Sequence, residues 1–348
     1  MRMNPQTIKQ WQRFRSIKRG YYSLLVVLGL LAMSVFAELL INNKAILVKY
    51  NGEYYFPTYS AFIAGTEFGF DYEYETNYRE LKSHFLALGE KGSWVLLPPI
   101  PYSPFETHFL EESFPPYPPS IHNQHYLGTD IAGRDILARL AYGFRLAITF
   151  SMILLACNYV VGIAIGCTMG FWGGAFDLFF QRLIEIWSNV PFLYVIMIVA
   201  SVIIPSFWTL AFIMVIFGWM GMTWYMRTAT YKEKAREYVD AAKALGASNT
   251  RMIFRHILPN TVSIIVTFIP FSIATGVTAL TALDYLGFGL PPPTPSWGEL
   301  LSQGTSNLQA PWIVTSVVVA MTIVLLMVTF IGEAIREAFD PKRFTYYE

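Results

Sequence analysis

Forty consecutive residues, 187–226, carry no charge, and this run restricts the fold more than any other feature of the chain. About 20 mostly apolar residues, rising 1.5 Å each as a helix, cross the ~30 Å hydrocarbon core of a bilayer. Forty therefore predict two crossings. The break falls at Pro205-Ser206, because proline lacks a donor and clashes with the preceding helical turn. Residues 146–170, 261–283 and 311–332 are also uncharged, and 21–41 contains only Glu38. The runs predict an all-α polytopic membrane protein of six transmembrane helices. Only 14% of residues are charged, against about 25% in soluble domains, so the lipid bilayer is the first partner. The net charge of +1 gives no reason to expect nucleic acid.

Basic residues collect on the cytoplasmic side of membrane proteins. An inside N-terminus puts Arg2, Lys9, Arg13, Arg15, Lys18, Arg19, Arg182, seven basic residues of 227–260, Arg336, Lys342 and Arg343 on that side. The short outer loops near 205–207 and 284–310 contain no Lys or Arg. Both termini are thus predicted to be cytoplasmic. The chain divides into a tail (1–20), helix one (21–41), an outer segment (42–145), a helical core (146–333) and a tail (334–348). Val35-Phe36-Ala37 would serve as a signal cleavage site, but the 20-residue polar leader is long and apolar character continues to Ile41. Helix one therefore reads as an uncleaved anchor. Cys157 and Cys167 fall in one apolar run and read as buried small hydrophobes, with no disulfide and no metal site.

The outer segment is too long for a simple connection and is expected to fold over the outer face, as a cap or as a surface for a partner. Asn51-Gly52 inside Val48–Pro57 is a hairpin signal. Eight prolines in 98–119 favour extended, irregular chain. Gly128, Thr129, Asp130, Gly133, Arg134 and Asp135 read as a turn feeding a helix, with Thr129 or Asp130 as cap. The stretch 136–143 has apolar groups at helical spacing, which fits an amphipathic helix lying on the membrane before the second span.

Between the fourth and fifth spans lies a positive loop, 227–260. Good helix formers run from Lys232 to Leu245, and Gly246 is a natural left-handed stop. Ser248 or Asn249 can cap a second helix, and Leu258-Pro259 marks re-entry into the membrane. Ala241, Ala242, Ala244 and Ala247 leave a low-relief knob that a partner's groove can approach closely. On the residues alone this is either a charged connection or a docking element.

Asp240-Ala241-Ala242, three residues, Gly246, nine residues, then His256, Leu258 and Pro259 resembles the EAA loop of ABC importer permeases. Asp240 stands where that family usually has Glu, and His256 where many members have Ile. Arg255-His256 looks like the dipeptide and oligopeptide branch. The motif at 127–135, the stretch LDYLGFGLPPPTPSWGELL at 283–301 and IGEAIREAFDPKR at 331–343 resemble other parts of C-type subunits of that branch. The 48–57 stretch is most similar to permeases of the microcin C and oligopeptide importers of Gram-negative bacteria. The resemblance implies a type I importer permease fold with an extracytoplasmic insertion between helices one and two, in a bacterial inner membrane. It implies that Asp240, Ala241, Ala242, Gly246, His256, Leu258 and Pro259 couple to a cytoplasmic ATPase. The expected partners are that ATPase, a second homologous permease subunit in a heterodimer, and a periplasmic substrate-binding protein. Peptides or peptide-like compounds are the expected cargo, with nickel or glutathione as alternatives on the same fold.

No G-x-x-x-x-G-K-[ST] phosphate loop occurs, so ATP and Mg²⁺ are expected on the partner, with no cofactor here and no catalytic residue. Polar residues within spans are candidates for the pathway: Asn158, Asn189 and Asp284 either face it or bond a neighbouring helix. Gly162, Gly166 and Gly170 form a small-residue stripe for close packing. A secondary transporter would want paired ionisable groups at mid-membrane depth, and the spans are charge-free at their centres. An enzyme using Glu185, His256 or the outer aspartates would want a nucleophile–base set, and none appears.

Overall fold

A computed structural model describes residues 5–88, 92–109 and 113–339. Most of the C-terminal tail expected at 334–348, including Lys342 and Arg343, lies outside the described residues, as do 1–4. The chain opens with α1 (Pro5–Ser16), α2 (Lys18–Val35) and the single turn α3 (Ala37–Leu40). The insertion follows. β1 (Leu47–Tyr50) and β2 (Glu53–Tyr55) form the expected hairpin, with Asn51 and Gly52 both at positive φ (50° and 86°). That is the geometry a two-residue turn needs to match strand twist. β3 (Trp94–Leu96) adds antiparallel to β1 in the order β2-β1-β3, and α4 (Tyr78–Leu88) closes the unit. Ala45, Val48, Phe68, Tyr78, Leu81 and Phe85 give the insertion a small core of its own.

The membrane part begins with α5, which runs unbroken for 37 residues from Ile136 to Trp172. The expectation of a separate surface helix at 136–143 is corrected: those residues are the first turns of the second span. Asp135, not Thr129 or Asp130, caps it, its carboxylate accepting from the Ala138 amide at 2.8 Å. No residue breaks the helix afterwards, since Gly143 serves as a seat for the Trp297 ring.

Next come α6 (Gly174–Ser188) and α7 (Phe192–Val202), bent by 64° across Asn189–Pro191. The third span thus begins 13 residues before the uncharged run does. Asp177 is accommodated because Arg227 pairs with it through Nε and Nη2, the latter at 2.6 Å. The helix break at Pro205-Ser206 falls where expected, and α8 (Phe207–Gly218) leads through α9 (Met220–Lys234) as the fourth span. α10 (Glu237–Ala244) follows, then the short α11 (Asn249–Arg251), a π-helical turn Met252–Ile257, and α12 (Leu258–Tyr285). These last three are one continuous helix. α13 (Trp297–Ser306) and α14 (Pro311–Phe339) complete the chain. Among the described residues, five helices are long and apolar enough to cross a membrane, and the bent pair counted as one span makes six.

The glycine stripe explains the tightest contact. A Cβ on Gly162, Gly166 or Gly170 would lie 2.5–2.8 Å from backbone or Cβ atoms of α9. Lipid offers no hydrophobic gain for helix association, so close backbone approach through small residues carries it. Cys167 is buried in this seam, whereas Cys157 is exposed on the other side of α5, against expectation. The larger core joins α5, α8, α12, α13 and α14. The bundle has a loop end, bearing α1, α10 and α11, and a far end, bearing the insertion and α13.

Candidate functional site

At the loop end, α9 stays helical to Lys234, whose ammonium reaches the Phe171 carbonyl. The helix breaks at Ala235-Arg236, so the helix expected over 232–245 is two helices, and α10 is a separate eight-residue unit. Its lower face is fixed. Val239 is buried against Met252, Ile253 and Ile257, and Ala242 is buried as well. Its end is a Schellman motif: the Gly246 amide donates to Lys243 O at 2.9 Å and the Ala247 amide to Ala242 O at 3.0 Å, with Gly246 at φ +80°. Ser248 then caps the next helix by accepting from the Arg251 amide. Only two residues, Gly246 and Ala247, therefore separate a capped stop from a capped start.

What remains outward is Asp240, Ala241, Lys243, Ala244 and Leu245. Leu245 is 90% exposed, and sequence reasoning passed over it. The available signal was a leucine immediately before the stop glycine, where a helix has no further turn to cover it. His256 and Leu258 are half-buried in the π-helical segment and just after it, and Pro259 is exposed in the first turn of α12. The Asn260 amide donates to His256 O at 2.6 Å. π-helical turns inside helices are frequent at functional sites.

At the far end, the 128–135 turn is a buried polar cluster. Gly128 and Gly133 adopt positive φ (77° and 78°), and a Cβ there would meet Tyr117 O at 2.7 Å and His108 O at 2.6 Å. The Thr129 hydroxyl accepts from the Tyr117 amide at 2.8 Å. Asp130 accepts from the Ala132 and Arg134 amides and from Arg134 Nε at 2.7 Å. Arg134 also donates to Glu299 on α13 at 2.8 Å, and Arg139, fully buried, pairs with the same Glu299. Two cations and two carboxylates thus close a neutral network between α5 and α13. Asp135 caps α5 and bonds His125 at 2.8 Å, and His125 Nε2 is 3.2 Å from His108 Nδ1. Burial first, then the charges of His125 and Arg79, hold His108 below the usual histidine range.

The three candidate pathway residues separate. Asp284 is buried and turned to its own chain: it accepts from the Leu290 amide at 2.7 Å and from the Ser296 hydroxyl. It shapes the turn into α13. Asn189 sits at the α6–α7 bend, its amide donating to Glu185 O at 2.6 Å. Asn158 lines a cavity of about 250 Å³ with Tyr159, Tyr225, Phe268, Ser272 and Thr275. The Tyr159 and Ser272 hydroxyls are 2.9 Å apart, and among the described residues Asn158 Oδ1 accepts no hydrogen bond.

A family model described as binding-protein-dependent transport system inner membrane component matches residues 162–345, more than half of the chain. The chain belongs to this family. The inner membrane ABC transporter permease protein YejE of Escherichia coli (strain K12) is 41% identical to it, over 98% of this chain and 99% of that protein. The peptidoglycan transport system permease protein YejE of Agrobacterium fabrum (strain C58) is 38% identical, over 98% and 94%. The oligopeptide transport system permease protein OppC of Lactococcus lactis subsp. lactis (strain IL1403) is 35% identical, over 64% and 77%.

As a member of the binding-protein-dependent inner membrane components, the protein is a multi-pass permease subunit of an ABC importer. The family match takes in the α5–α9 seam, the α10 loop and α12 through α14, and starts after the insertion. Both YejE relatives match across the insertion as well, since 98% of the chain is covered. Among the described residues, no group of three or more His, Cys, Asp or Glu is arranged to hold a metal.

Proposed function

We propose that this subunit forms one membrane half of an importer for peptides or peptide-bearing compounds, with α10 as the contact through which a separate ATPase drives it. The observation that carries the reading is the outward face of α10: an aspartate, small residues and a bare leucine on a helix whose other face is locked to the bundle. With Asp240, Ala241 and Ala244 beside it, the uncovered Leu245 leaves a low surface that a partner's groove can seat closely. Oligopeptide, dipeptide and peptidoglycan transport in the names of relatives supports the cargo class.

In this reading the loop end and both termini face the cytoplasm, and the insertion and α13 face the periplasm and the binding protein. ATP and Mg²⁺ sit on the ATPase. Closure of the ATPase pushes Leu245 and Asp240, and the short Schellman link passes that motion to the continuous helix Asn249–Tyr285. The π-helical turn gives that lever one compliant point. α12 packs along α5, so the two tilt together and open or close the cavity at Asn158. There the free amide oxygen of Asn158 and the Tyr159–Ser272 hydroxyl pair face passing amide groups. A second homologous permease subunit supplies the other wall.

The test is co-purification and reconstitution. The tagged chain is expected to bring down an ATPase and a second permease, and proteoliposomes of the complex to take up labelled oligopeptides with ATP. The chain bearing Leu245→Glu is expected to insert normally and lose the ATPase. Normal ATPase recovery and uptake with that variant would overturn the coupling role.

A further inference from the structure

Between α2–α3, α5 and α14, in the far-end half of the membrane, lies a second cavity of about 630 Å³. Its position follows from how the first helix packs. Near the loop end Gly20 lets α2 meet Ala334 and Phe330 of α14 so closely that a Cβ on Gly20 would overlap the Ala334 side chain. Phe14 packs on Ala334 and Ala338 beside it. Towards the far end, no such small-residue contact recurs between α2 and α5, and a wedge opens. Leu30, Met33, Leu40, Leu137, Phe144 and Val319 line it, and its walls are almost wholly apolar. The buried ring of Trp297, fixed by its N–H donating to Leu140 O at 2.9 Å, forms one wall.

Three features identify an occupant. The cavity follows α14 from Thr315 to Val324, which is about 14 Å at 1.5 Å per residue, against about 15 Å for one leaflet of a ~30 Å core. Its volume is that of a small-molecule site, typically about 300–1,000 Å³. A void of this size bordered by lipid leaves its lining atoms without contacts, and acyl chains at that depth supply them. The third feature separates a resident lipid from bulk solvent. Arg145, next to Phe144, and Glu38, next to Ala37, form an ion pair at 2.7 Å that is 44% and 40% exposed. One exposed cation beside one exposed anion complements a headgroup that carries both a phosphate and an ammonium.

We propose that this cavity is a lipid site holding an acyl chain of a phosphatidylethanolamine molecule from the leaflet on the insertion side, with its phosphate on Arg145 and its ammonium on Glu38. The lipid fills the wedge that the first helix leaves against the core, and so holds that helix in register. The proposal rests on the membrane-spanning fold alone and stands whatever the cargo is.

The test is lipid extraction and mass spectrometry on the full-length chain, in its complex, purified in mild detergent and washed. Wild type is expected to retain phosphatidylethanolamine at about one molecule per chain. Ala320→Phe fills the cavity and is expected to lower retention about tenfold. Arg145→Gln leaves the cavity intact and changes only an exposed side chain, so its folding is not in question; it is expected to lower phosphatidylethanolamine retention severalfold. Arg145→Gln/Glu38→Gln, offered equal phosphatidylethanolamine and phosphatidylglycerol in nanodiscs, is expected to lose the preference shown by wild type. Wild type that retains no lipid, an Ala320→Phe chain that retains as much as wild type, or a cross-link from Met33→Cys to the second permease subunit in the complex would each overturn the proposal. Peptide uptake is a separate readout, so failure here leaves the importer reading untouched.

Discussion

Replacing Glu299 with Met should destabilise the far end of the subunit, and the structure fixes by how much. Glu299 pairs with Arg134 at 2.8 Å and with Arg139. Without it, Arg139 is a fully buried guanidinium left with Asp130 at 3.5 Å and the carbonyls of Pro104, Pro293 and Thr294 at 3.0–3.2 Å. Removing one partner of a buried ion pair costs about 3–5 kcal/mol. The Glu299 side chain retains 15% exposure, and four acceptors stay with Arg139, which puts the cost near the lower figure, about 3 kcal/mol. At roughly 2 °C per kcal/mol for a large domain, the apparent melting temperature should fall by about 6 °C. Arg139→Met should cost a similar amount, because it leaves Asp130 and Glu299 sharing one cation. The double variant restores neutrality around the Asp130–Arg134 pair, and apolar replacement of a buried ion pair is often close to neutral. It should therefore lie at least ~1.5 kcal/mol above the sum of the two singles. The assay is thermal unfolding of the detergent-purified protein followed by tryptophan fluorescence. Additivity within about 0.5 kcal/mol, or a single-variant cost below about 1 kcal/mol, would refute the claim that the network acts as one unit.

Gly166→Ala puts a Cβ 2.5 Å from the Thr223 carbonyl and should cost about 1–3 kcal/mol through overpacking; an unchanged melting temperature would contradict the seam between α5 and α9. His108 binds its proton less readily when folded, chiefly through burial. The unfolded chain therefore takes up protons first, and stability is full above about pH 6.5 and lost as pH falls towards the depressed folded value. His108→Gln should flatten that acid slope, measured as melting temperature against pH, and an identical slope in both proteins counts against it. Asp240→Arg should reduce uptake at least tenfold while the chain still inserts and co-purifies with the second permease; wild-type uptake is the contrary result. Asn158→Leu should alter peptide uptake without changing ATPase recovery, and loss of the ATPase from the purified complex would assign the residue to assembly instead.

The spans, the 51–52 hairpin and the stop at Gly246 were legible in the sequence, because each is set by neighbours along the chain. Lipid requires about 20 apolar residues per crossing whatever they pack against, and a left-handed turn favours glycine or asparagine wherever it occurs. The motif around Asp240 was legible for the same reason: its spacing is local. Where charges were concerned, the sequence misled or fell silent. Asp177 belongs inside the third span only because Arg227, fifty residues on, neutralises it. Asp284 left two readings open in the sequence, and only the structure shows that its carboxylate accepts from the Leu290 amide and the Ser296 hydroxyl. Arg139 became buried by pairing with a carboxylate on α13, so what had looked like a surface helix is the start of a span. The bare Leu245 and the wedge beside α2 likewise exist only once helices have packed. Apolar run length and turn chemistry determine how often this chain crosses the membrane. Tertiary structure alone decided which charges cancel and which surfaces stay open, because ion pairs and voids join residues the sequence holds far apart.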